Sequence, residues 1–328
     1  MPGLLVLDQN AVAAALPMEP LIAAMKTAYA ALSDGSAAMP LRTRLAVGDA
    51  DAALFMPAFV PGEGGGSLAV KIVTLFPGNP PSGLPLIHAA VLAMDPRTGQ
   101  MLALLEGGVL TALRTGAGAG AATDLLARPD SRSLAVIGAG RQARTQLRAV
   151  CAVRPIVRVR VYAPTAVHVQ EFITAMSEIV PVEFSAVRSS AEALAGADIV
   201  CTATTSRTPV FSDADLSPGT HINAVGSYTP DMVEIPPETL ARARITVDSR
   251  TACAAEAGEL IRAVKQGFVK TERIDEIGEI AVGLKPGRSS ETEITCFKSV
   301  GVAVQDAAAG ALALQRAREL GLGKIVDW

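Results

Sequence analysis

The chain has 328 residues, half of them apolar, and a net charge of −3 with both signs scattered along it. This leaves no basic footprint for a nucleic acid, and no apolar run reaches the length of a membrane span, so neither partner is expected. The N-terminus "MPGLLVLDQN" lacks a signal-peptide pattern, and Cys151, Cys201, Cys253 and Cys296 stand far apart with no CxxC pair; disulfides are not expected and a reducing cytoplasm is the default.

Residues 11–33 have helical apolar spacing and an Asp34-Gly35 stop. From Arg42 to about Leu105 the texture changes to short apolar runs divided by Gly, Pro and Asp. "RTRLAV", "ALFMPAFV", "SLAVKIVTLF", "IHAAVLAMD" and "QMLALLEG" read as strands of an antiparallel sheet, with a hairpin turn at Asp95–Gly99. After about residue 115, strand and helix alternate: "SLAVIGA" and "RQARTQLRAVCAV", "RVRVYAP" and "TAVHVQEFITAMSEI", "PVEFSAV" and "SSAEALAGA", then "DIVCTATT", "HINAVGS" and "RITVDSR". Such alternation predicts a parallel sheet covered on both faces. "CFKSVGVAVQDAAAGALALQRAREL" reads as a long small-residue helix returning to the first domain. The fold class is α/β, a Rossmann-type doubly wound parallel sheet over 116–302 plus a mixed α+β domain formed by 1–115 with 303–328.

Two stretches satisfy the dinucleotide fingerprint. In "LAVIGAGRQARTQL" an apolar strand, Leu134–Ile137, precedes the turn and a good helix follows it. Gly138 permits the tight turn, Gly140 lets backbone approach a pyrophosphate, and Ala143 allows close helix–strand packing, with Arg141 and Gln142 opening the helix. "LRTGAGAGAATDLL" has no such strand before it, and its small residues Gly116, Ala119, Gly120 and Thr123 recur at helical spacing. It is expected to be a packing helix that joins the two domains. Where an NAD site has an acid at the end of the second strand, "VRVYAPT" offers Ala163 and Thr165. Without that acid a 2′-phosphate meets no repulsion, and Arg141 and Thr165 are candidates to bind it. NADP(H) is the preferred expectation and NAD(H) is tolerated.

Cations inside apolar segments require an anion. Arg42 heads a strand, Lys71 interrupts "LAVKIVTLF" and Arg114 interrupts "LTALRTGA". Singly, each reads as a snorkelling or paired side chain; together they suggest a carboxylate clamp, arginine giving bidentate contacts and lysine a point charge or proton source. His88 sits on a strand and also reads as a half-buried core residue, while His168 and His221 look structural. No two of these histidines share metal-ligand spacing, so no metal is expected.

The ordered series "MPLRT", "VKIVTLFPGN", "GLPLIHAAVLAMDPRTGQMLALLEG", "LTALRTGA", "VIGAGRQA", "INAVGSYTPDMVEI", "DSR…EAGEL" and "ITCFKSVGVAVQD" resembles the ornithine cyclodeaminase/mu-crystallin family over nearly the whole chain. The resemblance implies a homodimer, a bipartite substrate-binding and dimerisation domain around a Rossmann domain, a nicotinamide cofactor, and amino or cyclic imino acid substrates. By motif, Arg42, Lys71 and Arg114 would hold the substrate carboxylate, with Met56 and His88 near that pocket. Thr115 would contact a cofactor phosphate. Thr202 and Ala203, the strand end Val225, Gly226 and Ser227, and Ser299 would neighbour the cofactor.

One departure matters for chemistry. Where cyclodeaminases resemble "G-x-D-x-P-G-K", this chain reads Gly226-Ser227-Tyr228-Thr229-Pro230-Asp231-Met232. Tyr228 takes the place of the aspartate that handles the amino group, and Met232 that of the lysine; Asp231, beyond a proline, is not a simple substitute. Cyclodeamination needs that acid/base group, whereas reducing a preformed C=N bond needs a hydride, an oriented substrate and a proton from Lys71 or water. The form resembles the family's ketimine reductases, which act on Δ1-pyrroline-2-carboxylate and Δ1-piperideine-2-carboxylate. The rival readings are a cyclodeaminase-type lyase, an alanine dehydrogenase-like oxidoreductase, and a ligand-binding protein with little turnover.

Overall fold

The computed structural model describes residues 3–328; the first two residues of the segment read for a signal pattern lie outside the described residues. In chain order the elements are β1 (Leu4–Leu7), α1 (Gln9–Ala15), α2 (Met18–Ser33), β2 (Thr43–Ala46), β3 (Ala52–Val60), β4 (Ser67–Leu75), β5 (Ile87–Met94), β6 (Met101–Glu106) and α3 (Gly107–Leu126). There follow β7 (Ser133–Ile137), α4 (Arg141–Val153), β8 (Arg158–Tyr162), α5 (Ala166–Ser177), β9 (Glu183–Ala186), α6 (Ser190–Leu194), β10 (Ile199–Thr202) and β11 (His221–Ala224). The last are α7 (Pro237–Arg242), β12 (Arg244–Val247), α8 (Arg250–Glu256), α9 (Gly258–Lys265), β13 (Ile274–Glu276), α10 (Ile277–Ala281), β14 (Thr295–Lys298), α11 (Ala303–Leu320) and β15 (Lys324–Val326).

The chain divides into two compact units, 1–114 with 302–328, and 115–301. The division falls inside α3, and each boundary expected from the sequence lies one residue C-terminal to it. In the first unit seven strands are ordered β15-β1-β6-β5-β4-β3-β2. All neighbours are antiparallel except β1 and β6. The helix expected over 11–33 is in fact two. Leu16 leaves the helical region because the following Pro17 disfavours it, and Pro17 then caps α2. β1 and β15, contributed by the two ends of the chain, extend the sheet beyond the five strands that the pattern predicted. Within the returning C-terminal segment only Ala303–Leu320 is helical; Thr295–Lys298 is a strand of the second unit, buried along its length.

The second unit is an eight-stranded, wholly parallel sheet in the order β13-β12-β14-β11-β10-β7-β8-β9. Its central strands are buried on both faces, as helix-covered parallel strands must be, with β7 and β10 mainly apolar and the polar His221 and Asn223 of β11 paired internally. Strand order reverses between β7 and β10, where α/β sheets of this kind open a crevice at the carboxyl ends of the strands. The "GAGAGAA" run is a helix, as its spacing predicted. A Cβ on Gly116 would sit 2.6 Å from the backbone of Thr145 on α4, so only glycine permits this approach. The carboxyl end of α3 is closed by Arg154, whose Nη2 donates to the carbonyls of Thr123, Asp124 and Ala127 at 3.0 Å each.

Candidate active site

In the first unit, β4 delivers Lys71 to the face of the sheet that α11 covers. The register pairs Lys71 with Met56 on β3 and with Val91 on β5, and all three are buried. Lys71 Nζ lies 2.8 Å from Oδ2 of Asp306, near the start of α11. Arg114, on α3, donates from Nε to the other Asp306 oxygen at 3.0 Å and from Nη1 to Gln305 Oε1 at 2.8 Å. Gln305 donates in turn to the Tyr29 hydroxyl at 2.7 Å, so its amide is fixed from behind. Lys71, Arg114 and Asp306 are 2%, 4% and 1% exposed, so their charges meet each other and not water. One carboxylate against two cations leaves a positive charge buried without an anion, which is the requirement of a site for a carboxylate ligand. Burial, then the Arg114 charge, pull Lys71 down to about 8 against the opposing pull of Asp306; Arg42, half-buried before β2, adds to the depression.

In the second unit the turn after β7 lies at the point where strand order reverses. Gly138 has φ +101°, and a Cβ there would lie 2.5 Å from the carbonyl oxygen of Ala203, the residue that follows β10. Gly140 begins α4 without a side-chain cap, and a Cβ on it would meet nothing within 4 Å. Gln142 Oε1, in the first turn, is buried without a hydrogen-bond partner. An uncapped helix start above an open cradle is what a dinucleotide pyrophosphate requires, so the residues present fit that group. Arg141 and Thr165 are exposed, and no carboxylate follows β8 before α5.

The strand end after β11 rests on buried charge. Glu234 accepts from the Thr202 hydroxyl at 2.8 Å, from the Thr204 backbone at 2.7 Å and hydroxyl at 2.8 Å, and from the backbone N–H groups of Gly226 at 2.8 Å and Ser227 at 3.2 Å. Lys298, fully buried, donates to the Ser227 carbonyl and hydroxyl at 2.6 Å each and pairs with Glu259 at 2.9 Å, while the Ser227 hydroxyl donates to Glu259. Burial pushes Lys298 down, but Glu259 and Glu234 outweigh it and hold it above its ordinary value. Asp248 accepts from the Ser299 hydroxyl at 2.7 Å and from the N–H groups of Val300 and Gly301 at 3.0 and 2.8 Å. Tyr228 is half-buried on the loop so held, with burial and then Asp231 raising its hydroxyl. Asp231 is committed elsewhere, 3.0 Å from Arg207 and accepting from the Thr229 hydroxyl at 2.5 Å.

The predicted residues thus fall into separate groups. Lys71, Arg114 and Met56 share one buried region of the first unit, with Arg42 near enough for its charge to act on Lys71. His88 does not join them: it pairs with Thr74, three residues from Lys71, so strand alternation puts it on the opposite face, where it is exposed. It is not a half-buried core residue either. Thr115 is buried on α3, Val225 is buried beyond β11, and Thr202 and Ser227 support Glu234 and Glu259 as described. Asp306 and Gln305 were not singled out from the sequence, although they are the only two polar residues in the apolar run "GVAVQDAAAGALAL". Lys298, Glu259 and Glu234 were missed as well. His221 is buried between Thr295 and Asn223 and pushed down to about 3 by burial, then Arg288, so it is neutral and structural. Among the described residues no group of three or more His, Cys, Asp or Glu could hold a metal, and no helix is long and apolar enough to cross a membrane.

Residues 4–320 match the ornithine cyclodeaminase/mu-crystallin family. A Δ1-pyrroline-2-carboxylate reductase of Bacillus cereus is 38% identical over 328 residues, covering 99% of this chain and all of its own. The structure of Thermococcus litoralis Δ1-pyrroline-2-carboxylate reductase in complex with NADH and L-proline superposes with a TM-score of 0.93 at 41% identity, over 98% of this chain and all of that one. An archaeal alanine dehydrogenase dimer with bound NAD gives 0.91 at 33%, over 99% of both chains. End-to-end similarity of this kind makes the chain a member of the ornithine cyclodeaminase/mu-crystallin family.

Proposed function

We propose that the protein reduces a cyclic 2-imino acid, Δ1-pyrroline-2-carboxylate and/or the six-membered Δ1-piperideine-2-carboxylate, to L-proline and/or L-pipecolate. The observation that carries this reading is the convergence of Lys71 and Arg114 on the single carboxylate of Asp306, which leaves buried positive charge for a substrate anion. Arg114, with Arg42, fixes the substrate carboxylate and so the orientation of the C=N bond. Lys71, whose ammonium is lowered to about 8, delivers a proton to the ring nitrogen. Met56 is an apolar wall beside it. A nicotinamide dinucleotide, held by the Gly138–Gly140 turn and the first N–H groups of α4, supplies the hydride when bound. The reductase relative with NADH and L-proline supports both substrate class and cofactor class. Within that class, the missing carboxylate after β8 and the exposed Arg141 and Thr165 favour NADP(H), with NAD(H) also accepted.

A lyase reaction is disfavoured because Asp231 is tied to Arg207 and Tyr228 stands on the loop instead of an acid. The alanine dehydrogenase relative keeps oxidation of a primary amino acid as the second reading. The deciding assay follows oxidation of NADPH and NADH with five- and six-membered cyclic 2-imino acids, beside L-alanine oxidation and ammonia release from L-ornithine. Turnover of ornithine or alanine with none of the imines refutes the proposal.

A homodimer is proposed on a separate observation. Phe55, Phe59, Leu68, Val70, Ile72 and Leu104 lie on the face of the first sheet opposite Lys71; none is buried, and Ile72 and Leu104 are 39% and 37% exposed. An antiparallel sheet facing water carries polar residues on that side, so this face calls for a cover, and a second copy of the chain supplies a matching one.

A further inference from the structure

Asp306 divides its two oxygens between two different functional groups, Arg114 Nε at 3.0 Å and Lys71 Nζ at 2.8 Å. Gln305, its neighbour on α11, accepts from the same guanidinium at 2.8 Å and is itself held by the Val302 backbone N–H at 3.0 Å and by Tyr29. Two consecutive residues of one helix therefore orient Arg114 along both of its edges, and the first turn of that helix fixes where Lys71 ends. The charged groups that act on the Lys71 ammonium are Arg114 from α3, Arg42 from the segment leading into β2, and Asp306 from α11. Burial and both arginines favour the neutral amine; the Asp306 carboxylate opposes them.

We propose that Asp306 is a positioning residue for the reduction: a single carboxylate that aligns Arg114 for the substrate's carboxylate and keeps the proton on Lys71. The inference rests on the reading of the site as an imine reductase. As hydride adds to the imine carbon, the C=N π pair becomes the nitrogen lone pair and takes the proton from Lys71 Nζ. The neutral lysine then regains a proton from water. In the oxidative direction the neutral lysine accepts the proton of the ring nitrogen. Asp306 forms and breaks no bond to substrate; it sets the pH at which Lys71 carries the proton.

The test uses the full-length protein and two variants. Asp306→Asn removes the charge and retains an oxygen for Arg114; Asp306→Glu retains the charge and displaces it by one methylene. Lys71 is titrated by NMR in the protein without substrate, and the pH dependence of kcat/KM for Δ1-pyrroline-2-carboxylate reduction is measured in parallel. In Asp306→Asn the Lys71 titration is expected to fall by about 1–3 pH units, the span of a lost neighbouring charge, and the alkaline limb of kcat/KM to fall with it. Asp306→Glu is expected to keep the wild-type titration while KM for the imine rises about tenfold or more as Arg114 shifts. An unmoved Lys71 titration in Asp306→Asn, or an equal shift in both variants, overturns the inference. A titration that moves while the rate profile stays in place overturns instead the assignment of Lys71 as proton donor.

Discussion

Replacing Lys298 with methionine keeps most of the side-chain volume and removes a charge that never meets water. In the folded protein that ammonium donates to the Ser227 carbonyl and hydroxyl at 2.6 Å each and lies 2.9 Å from Glu259, all at 0–1% side-chain exposure. Lys298→Met leaves the Glu259 carboxylate and the Ser227 carbonyl buried without that partner. Breaking a buried pair from one side costs about 3–5 kcal/mol. For a domain of about 150–250 residues each kcal/mol corresponds to about 2–4 °C, so the unfolding midpoint should drop by about 6–20 °C. Lys298→Met/Glu259→Gln removes both charges, and most of that loss should return, because exchanging a whole buried pair for neutral groups is close to neutral. The Ser227 carbonyl stays without its lysine in both variants, so the loop carrying Tyr228 remains loosened and kcat should stay low even where the midpoint has recovered. Differential scanning calorimetry and imine-reduction kinetics on the same preparations measure the two effects separately. A single variant within about 2 °C of wild type, or a double variant no more stable than the single, refutes the reasoning.

Arg114→Ala should lower kcat/KM for the imine by about 30-fold to several thousand-fold, the effect of about 2–5 kcal/mol for truncating one partner of a buried charged contact, while the circular dichroism spectrum is retained; near-normal kcat/KM would falsify the carboxylate clamp. Gly116→Ala sets a helix-propensity gain of about 1 kcal/mol against overpacking of about 1–3 kcal/mol. Because the added Cβ meets Thr145 backbone at 2.6 Å, overpacking should win and urea unfolding should show a net loss; a more stable variant contradicts it. Lys71 holds its proton below about 8 and releases it above, so kcat/KM for imine reduction should decline as pH rises through about 8 while proline oxidation rises over the same interval. Parallel trends in the two directions would be inconsistent with Lys71 as the proton carrier. Ile72→Glu, on the open face of the first sheet, should shift sedimentation toward the monomer and leave the Lys71 face intact, whereas an unchanged sedimentation coefficient argues for a different dimer surface.

The second unit was largely legible because its signals are local. An apolar strand, a glycine turn and a helix follow one another over residues 133–153 at β7 and α4, and the helical spacing of Gly116, Ala119, Gly120 and Thr123 separated the packing helix from a second nucleotide turn. What was not legible depends on pairing across long separations. β1 joins the sheet beside β6, about a hundred positions later in the chain, and β15 pairs with β1 from the far end, while Asp306 meets Arg114 across 192 positions. The clamp was therefore visible as three expensive cations without the anion that organises two of them. Lys298 sat in a segment whose small residues read as the opening of a helix; as part of a strand it is enclosed, and its partners come from the loop after β11 and from α9. His88 had two readings, core or pocket, and a one-residue alternation in β5 sent it to neither.

The first unit is interrupted in sequence by the whole of the second, and α11 is its last helix. During synthesis Lys71 and Arg114 emerge long before the carboxylate that pairs with them, and the sheet face that α11 covers stays bare until α11 itself has emerged. The second unit, continuous in sequence, has all its strands by Lys298 and is under no such delay. Loss of the last two dozen residues would thus spare the glycine turn and remove the anion, leaving two buried cations with nothing to fold around.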